Sequence, residues 1–375
     1  MHYRRYLQAM LVMALFQWSF AAQAIPAFAR AEGVNCSTCH NAWPQLNAKG
    51  RAFKENGYRF DADLGDHRSL KDLLEEGAPI GTLLIARPYD KKESGDIKNR
   101  AMHEVELFIG AALNDKWSGY AEFEAEDEGA FTPIVGNATV GYHLNKAINF
   151  QMSWSPYMWA DGYGFLGDRF RMTRGHVKAF DEKFGGADAK LRSARQLAAI
   201  YGRPMDNLFY SIGYSGKADD YEGEDAKNFH GRIAIDLLEN LMVGAFQING
   251  EGSGSRGFSR TGLDMQYDFG GARLQAAYVT AKDDDTGGGD TTNNAFSLQG
   301  MYVLKHNGHP AWVPLVRLDQ YERNDGADDY TELTLNVTRY FSENIKGYLE
   351  FWQQMDVPAG SKEDSRVTLQ LAIGF

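Results

Sequence analysis

The sequence predicts an all-β fold: a transmembrane antiparallel β-barrel of about sixteen strands over residues 80–375, with a small α-helical segment at its N-terminal side. Three observations carry this. First, from about Pro79 onward apolar residues recur at every second position: Val367, Leu369, Leu371, Ile373 and Phe375 alternate with Arg366, Thr368, Gln370, Ala372 and Gly374. Segments of about ten residues with one apolar and one polar face suit a strand with lipid on one side and a wet lumen on the other. Second, the connections alternate between tight turns, such as Asn114-Asp115-Lys116, Glu239-Asn240 and Gly270-Gly271, and long polar loops. Third, the last strand ends on Phe375, which resembles the terminal insertion signal of outer-membrane proteins. A water-soluble sandwich also alternates; the loop pattern and the terminal aromatic favour the barrel.

Residues 1–24 read as a signal peptide. Arg4 and Arg5 supply the charged start, Leu7 to Phe20 the apolar run, and Ala22-Gln23-Ala24 the small-residue cleavage site. Past it, no apolar run is long enough for a membrane-spanning helix. Forty glycines against ten prolines, with 13% aromatic residues, suit strands joined by turns. The net charge of −11 argues against a nucleic-acid partner, whose phosphates need a basic surface, and favours small cations.

Residues 25–79 have a different character. A helix is expected from about Asn47 to Asn56, stopped by Gly57. A second is expected from Ser69, an N-cap with Asp72 three residues on, to Gly77. Ahead of both stands Cys36-Ser37-Thr38-Cys39-His40. Two thiols two residues apart followed at once by histidine is the attachment pattern of a c-type haem: the thiols add to the vinyl groups and the imidazole takes the proximal side of the iron. These are the only cysteines in the chain. The alternatives are a disulfide and half of a zinc site, and no second ligand pair follows at zinc spacing. Haem of this type is attached outside the cytoplasm, in keeping with export. Fifty-odd residues bury little surface alone; one haem c and a surrounding wall would supply the rest of the core. The segment is therefore expected as a monohaem cytochrome c domain plugging the barrel.

The strands fall near 80–89, 100–113, 117–126, 131–143, 147–155, 193–202, 208–215, 228–238, 241–249, 258–269, 272–281, 293–304, 311–322, 329–340, 345–355 and 364–375. An even number places both termini on the periplasmic side. The longest connection, 156–192, carries Trp159, Tyr163, Phe165, Arg169, Arg171, Arg174 and Lys178. Two readings of it stand: an inward constriction, or partly extra strand.

The distal haem position has two candidates. His67 is the only other histidine between residues 41 and 80, although a lone loop histidine is more often simply exposed. Met102 shares a strand face with Glu104 and Glu106 and is expected to look inward, while the same parity points His103, with Val105, Leu107 and Ile109, at lipid. Glu104, Glu106, Glu122, Glu124 and Glu126 then give an acidic lumen, either a cation-gathering wall or the ordinary polar lining of a pore. Trp117, Trp154, Trp312 and Trp352 are candidates for an interfacial girdle. There is no nucleophile triad, phosphate-binding glycine loop or zinc-helix motif, so no catalytic residue is assigned beyond the redox centre.

Pro26-x-Phe28-Ala29-Arg30, Cys36-x-x-Cys39-His40, Pro44-x-Leu46-Asn47, Gly50-Arg51-x-Phe53-Lys54 and Asn56-Gly57-Tyr58 resemble the fused monohaem cytochrome c–porin proteins in the outer membrane of iron-oxidising bacteria. Across the barrel the likeness is architectural. The resemblance implies a redox protein of the iron-oxidising cytochrome type, which takes electrons from extracellular Fe(II) and passes them to a periplasmic cytochrome or other carrier. Two rival functions stand beside it: a solute porin with a tethered haem domain, and a soluble periplasmic haem-binding β-protein. Oligomeric state is not legible in the sequence.

Overall fold

The computed structural model describes residues 27–60, 69–75, 78–163, 165, 171–188, 190–223 and 226–375. Residues 1–24 and His67 lie outside the described residues.

Sixteen antiparallel strands close into a barrel. The first eight are β1 (Ile80–Lys92), β2 (Ile97–Ala112), β3 (Trp117–Glu126), β4 (Ile134–Asn145), β5 (Ile148–Ser155), β6 (Arg195–Met205), β7 (Leu208–Ser215) and β8 (Asn228–Leu238). The second eight are β9 (Leu241–Glu251), β10 (Gly257–Phe269), β11 (Ala272–Asp284), β12 (Asp290–Tyr302, resuming after Val303 as Leu304–His306), β13 (His309–Arg323), β14 (Asp328–Ser342), β15 (Ile345–Asp356) and β16 (Ser365–Gly374). Each strand pairs with its neighbours in the chain, and β16 returns to β1 with Leu371 opposite Ala86. Closure leaves no unpaired edge. Every strand expected from the period-two pattern is present, most of them longer by a few residues.

The side chains are arranged inside out relative to a water-soluble protein. Val140, Met152, Ile212, Leu263 and Leu349 are exposed on the outer face, whereas Arg232, Arg260, Arg317 and Gln275 are fully buried within. Such an apolar exterior is stable only against lipid, and the closed ladder satisfies the backbone groups that lipid cannot. Among the described residues no helix is long and apolar enough to cross a membrane, and a closed barrel crosses with its strands instead. Trp117 and Trp312 stand exposed beside the short turns, as a girdle requires. Trp352 departs from that expectation, while Trp154 keeps the outward parity of Phe150 and Met152. Trp154 is buried against Tyr221, and Trp352 donates its indole N–H to Glu332 on the lumen side.

Strand β2 corrects the parity argument. Arg100 pairs with Arg87 and Glu104 with Ile85, so Ala101, Met102 and His103 all face the single residue Ala86. This bulge turns Met102 outward, 42% exposed, and His103 inward, 2% exposed. Met102 is thereby removed as a haem ligand. A bulge re-aims side chains in a way no strict alternation can reveal.

The connection 156–192 folds inward, and its described residues add no strand and contain one short helix, Lys178–Asp181. Phe165, Val177, Phe180 and Leu191 pack on the lumen-facing side chains Phe246, Ile248, Phe258 and Val279. Its backbone is tied to the wall by Lys178 N–H to Asp319, and by Gly185 and Ala187 N–H to Asp283.

Residues 27–60 contact the inner wall at the rim that carries the short turns. Arg59 donates to the Asn114 carbonyl, Glu55 pairs with Arg203, Arg273 donates to Gln45 and Leu46, and Tyr340 donates to the Trp43 carbonyl. Within this segment α1 spans Ala27–Ala31 and α2 spans Ala48–Glu55. Asn47 caps α2 by accepting from the Gly50 N–H at 2.9 Å, and Gly57 ends it in the left-handed region at φ +69°. Farther on, α3 (Leu70–Glu75) starts with a reciprocal cap between Ser69 and Asp72.

Candidate functional site

A cavity of about 830 Å³ lies inside the barrel, between residues 27–60, the inward connection and the wall. That volume is within the range of cofactor pockets. Cys36, Cys39 and His40 line it, with Phe28, Val34, Trp43, Leu46 and Phe53 supplying apolar surface on the same side.

Local geometry delivers the three motif residues to one wall. Cys36–Thr38 form a single 3-10 turn. The loop is fixed from below by Glu343, which accepts from the Cys36 N–H at 2.9 Å and the Ser37 hydroxyl at 3.1 Å. Helix α2 then closes against it so tightly that a Cβ on Gly50 would sit 2.2 Å from the Cys39 carbonyl oxygen. Phe28 stacks on Tyr58 and meets Phe53 edge-on, forming an aromatic floor.

The donor set suits a covalently held haem. The two thiols are not bonded to each other. Burial, aided by Glu343, pushes the Cys36 thiol up to about 11, and burial pushes Cys39 up to about 11, so both are neutral thiols at physiological pH. His40 Nδ1 hydrogen-bonds the Pro44 carbonyl at 3.0 Å, which makes Nδ1 the protonated nitrogen and Nε2 the one with a lone pair for a metal. Burial lowers His40 to about 4, keeping the ring neutral.

The rest of the cavity lining carries both signs of charge. Strands β2 and β3 present Glu104, Glu106, Glu122, Glu124 and Glu126 to the cavity, the acidic lining expected from parity. The same cavity is lined by Arg171 and Arg174 from the inward connection and by Arg317, Lys346 and Arg366 from the barrel, with Lys346 lying over the Trp43 ring. Arg174 pairs with Asp90 at 2.9 Å. Sequence reading placed Arg171 and Arg174 on a connection able to fold inward but missed Arg317, Lys346 and Arg366, which lie on three separate strands that only the fold gathers.

Three further metal-competent side chains line the cavity: His103, His176 and Met172. Met172 is buried with Ala42, Tyr340 and Trp43, beside the residues that follow His40 although 132 positions from it in sequence. His176 and Met172 both arrive on the inward connection, which has no periodicity from which to read them.

No family model and no curated protein matches the chain at the level of sequence. Solved structures match in fold. An anion-selective porin from Comamonas acidovorans is 16% identical, covers 79% of this chain and 98% of its own, and superposes with a TM-score of 0.61. OmpF of Salmonella typhi, solved in complex with daunomycin, is 14% identical over 79% of this chain and 97% of its own, with a TM-score of 0.59. OmpT of Vibrio cholerae, in its trimer form, is 14% identical over 79% and 98%, with a TM-score of 0.57. The fold is that of the outer-membrane porins.

Proposed function

We propose that this chain is an outer-membrane electron-transfer protein that carries one haem c inside a porin-like barrel and oxidises extracellular Fe(II), passing electrons to a periplasmic cytochrome or other carrier. The observation that carries the reading is the position of Cys36, Cys39 and His40 on the wall of the internal cavity, instead of on a tether beneath the barrel. Cys36 and Cys39 would hold the group through two thioether bonds, each thiol adding its S–H across a vinyl. His40 would ligate through Nε2, oriented by Pro44. The bound group supplies a one-electron couple. Around it, Phe28, Trp43, Leu46 and Phe53 exclude water, and the glutamates of β2 and β3 raise the local concentration of cations. His67 stays a candidate second ligand, and His176 and Met172, which line the same cavity, are further candidates.

The test is an absorption spectrum of outer-membrane fractions carrying the protein, before and after Fe(II) is added. Reduced haem bands are expected with the native chain and should be absent in Cys36→Ala/Cys39→Ala. A spectrum that shows haem but no reduction by Fe(II) removes iron as donor and leaves the cytochrome; no covalent haem removes both.

A solute porin is the second reading, favoured by the porin fold of the structural neighbours. Planar-bilayer conductance separates the two, since a pore used for solutes must pass a steady ion current.

A further inference from the structure

We propose that His103, Glu104 and Glu126 form a binding site for one divalent first-row transition-metal ion on the lumen wall. One donor atom from each lies within 4.8 Å of the other two, the spread that a single ion's inner ligands occupy. The set is one imidazole and two carboxylates, a mixed nitrogen and oxygen shell suited to Mn(II), Fe(II) or Zn(II) more than to Mg(II) or Ca(II).

Three independent features point to a ligand there. The bulge in β2 puts the adjacent residues His103 and Glu104 on the same side of the wall, which a regular strand cannot do. Glu104 is 4% exposed, lines the cavity, and makes no hydrogen bond or ion pair among the described residues. It also sits directly opposite Glu126 in the β2–β3 register, with Glu106 opposite Glu124 one step along. Like charges placed face to face destabilise a sheet, and a divalent ion between them turns that repulsion into attraction.

The imidazole is already prepared. Asp127 hydrogen-bonds His103 Nδ1 at 2.8 Å, the carboxylate–histidine arrangement that leaves Nε2 as the basic nitrogen. In this structure Nε2 accepts from Arg87 Nη1, while Arg87 Nε is anchored on Gln370 at 2.6 Å. One arm of a guanidinium therefore competes for the nitrogen an incoming ion needs. The consequence is a pair of opposite effects: removing Glu104 weakens binding, and removing Arg87 strengthens it. The site stands without the haem; only its use as a resting place for Fe(II) next to Cys36, Cys39 and His40 rests on the function proposed above.

The probe is Mn(II), followed by the loss of its free-ion EPR signal at room temperature on titration into the detergent-purified full chain. The native protein should take up one equivalent of Mn(II) saturably. Glu104→Gln and Glu126→Gln should each weaken it by about tenfold or more, since even outer partners of metal ligands are worth ~10–100-fold. Arg87→Gln should tighten it severalfold, and Asp220→Asn in an exposed loop should leave it unchanged. No saturable uptake, or uptake indifferent to Glu104→Gln, overturns the site. If Glu104→Gln does not fold, Arg87→Gln decides: unchanged or weaker binding overturns it equally. The haem spectrum of the same samples is read separately, so a missing haem with intact Mn(II) binding sinks only the electron-transfer reading.

Discussion

Gly50 shows how one residue governs the site. It lies inside helix α2, where alanine would ordinarily gain about 1 kcal/mol in helix propensity. A Cβ there would meet the Cys39 carbonyl oxygen at 2.2 Å and a Leu46 methyl at 3.0 Å. The first is backbone and cannot swing aside, so the clash wins. Gly50→Ala is expected to destabilise the 27–60 segment by ~1–3 kcal/mol or more. If the chain carries haem as proposed, the check is reduced haem incorporation and a lowered melting temperature of the haem band, with the barrel's own heat-modifiable mobility on gels unchanged. A melting temperature at or above that of the native chain would mean that the helix does not press on the Cys36–His40 loop. Gly57 is constrained in the same way from the other side: its Cβ would overlap the His143 ring on the wall.

At the level of elements, buried ion pairs fasten the inward connection and the hairpins. Arg232, fully buried, bridges Asp161 of the connection and Asp264 of β10. Arg232→Ala leaves two carboxylates buried together, and breaking such a pair costs about 3–5 kcal/mol. Urea unfolding of the refolded barrel in detergent should show that loss. A loop supplies the pH dependence. Partial burial tends to raise the Asp364 carboxyl, but Lys92 together with the Ser94 and Ser365 hydrogen bonds outweighs it and holds the group well below the usual carboxylate range. A depressed folded-state value contributes stability above the unfolded pKa of ~3.9 and loses it as pH falls below. Acid unfolding monitored from pH 6 to 2 should therefore show a smaller acid destabilisation in Asp364→Asn than in the native chain. These elements also show where sequence is transparent. Strands β13 to β16 are legible because lipid and lumen impose a strict period of two on them. Met102 and His103 were misplaced because two extra residues in β2 break that period without leaving a mark in composition. Met172 and the company that Arg171 and Arg174 keep were invisible for another reason: the connection that carries them has no repeating pattern of its own, and only the fold brings Arg317, Lys346 and Arg366 to the same cavity.

At the scale of the whole molecule, the lumen is filled from two directions. A sixteen-stranded barrel is wide enough to leave an aqueous channel. Here the connection 156–192 occupies one part, packed on Phe246 and Ile248, and residues 27–60 occupy another, held by Arg203, Arg273 and Tyr340. What stays open is a cavity of about 830 Å³ with an acidic and a basic wall. The native chain in a planar bilayer should accordingly pass little steady current. Deleting residues 27–60 removes the contacts to Arg203, Arg273 and Tyr340 but touches no pairing between barrel strands, so the barrel should still insert. Its conductance should then rise by on the order of tenfold, toward that of an open sixteen-stranded pore. A native chain that already conducts like the deletion variant would mean that the 27–60 segment does not seal the lumen, and the solute-porin reading would take precedence over electron transfer.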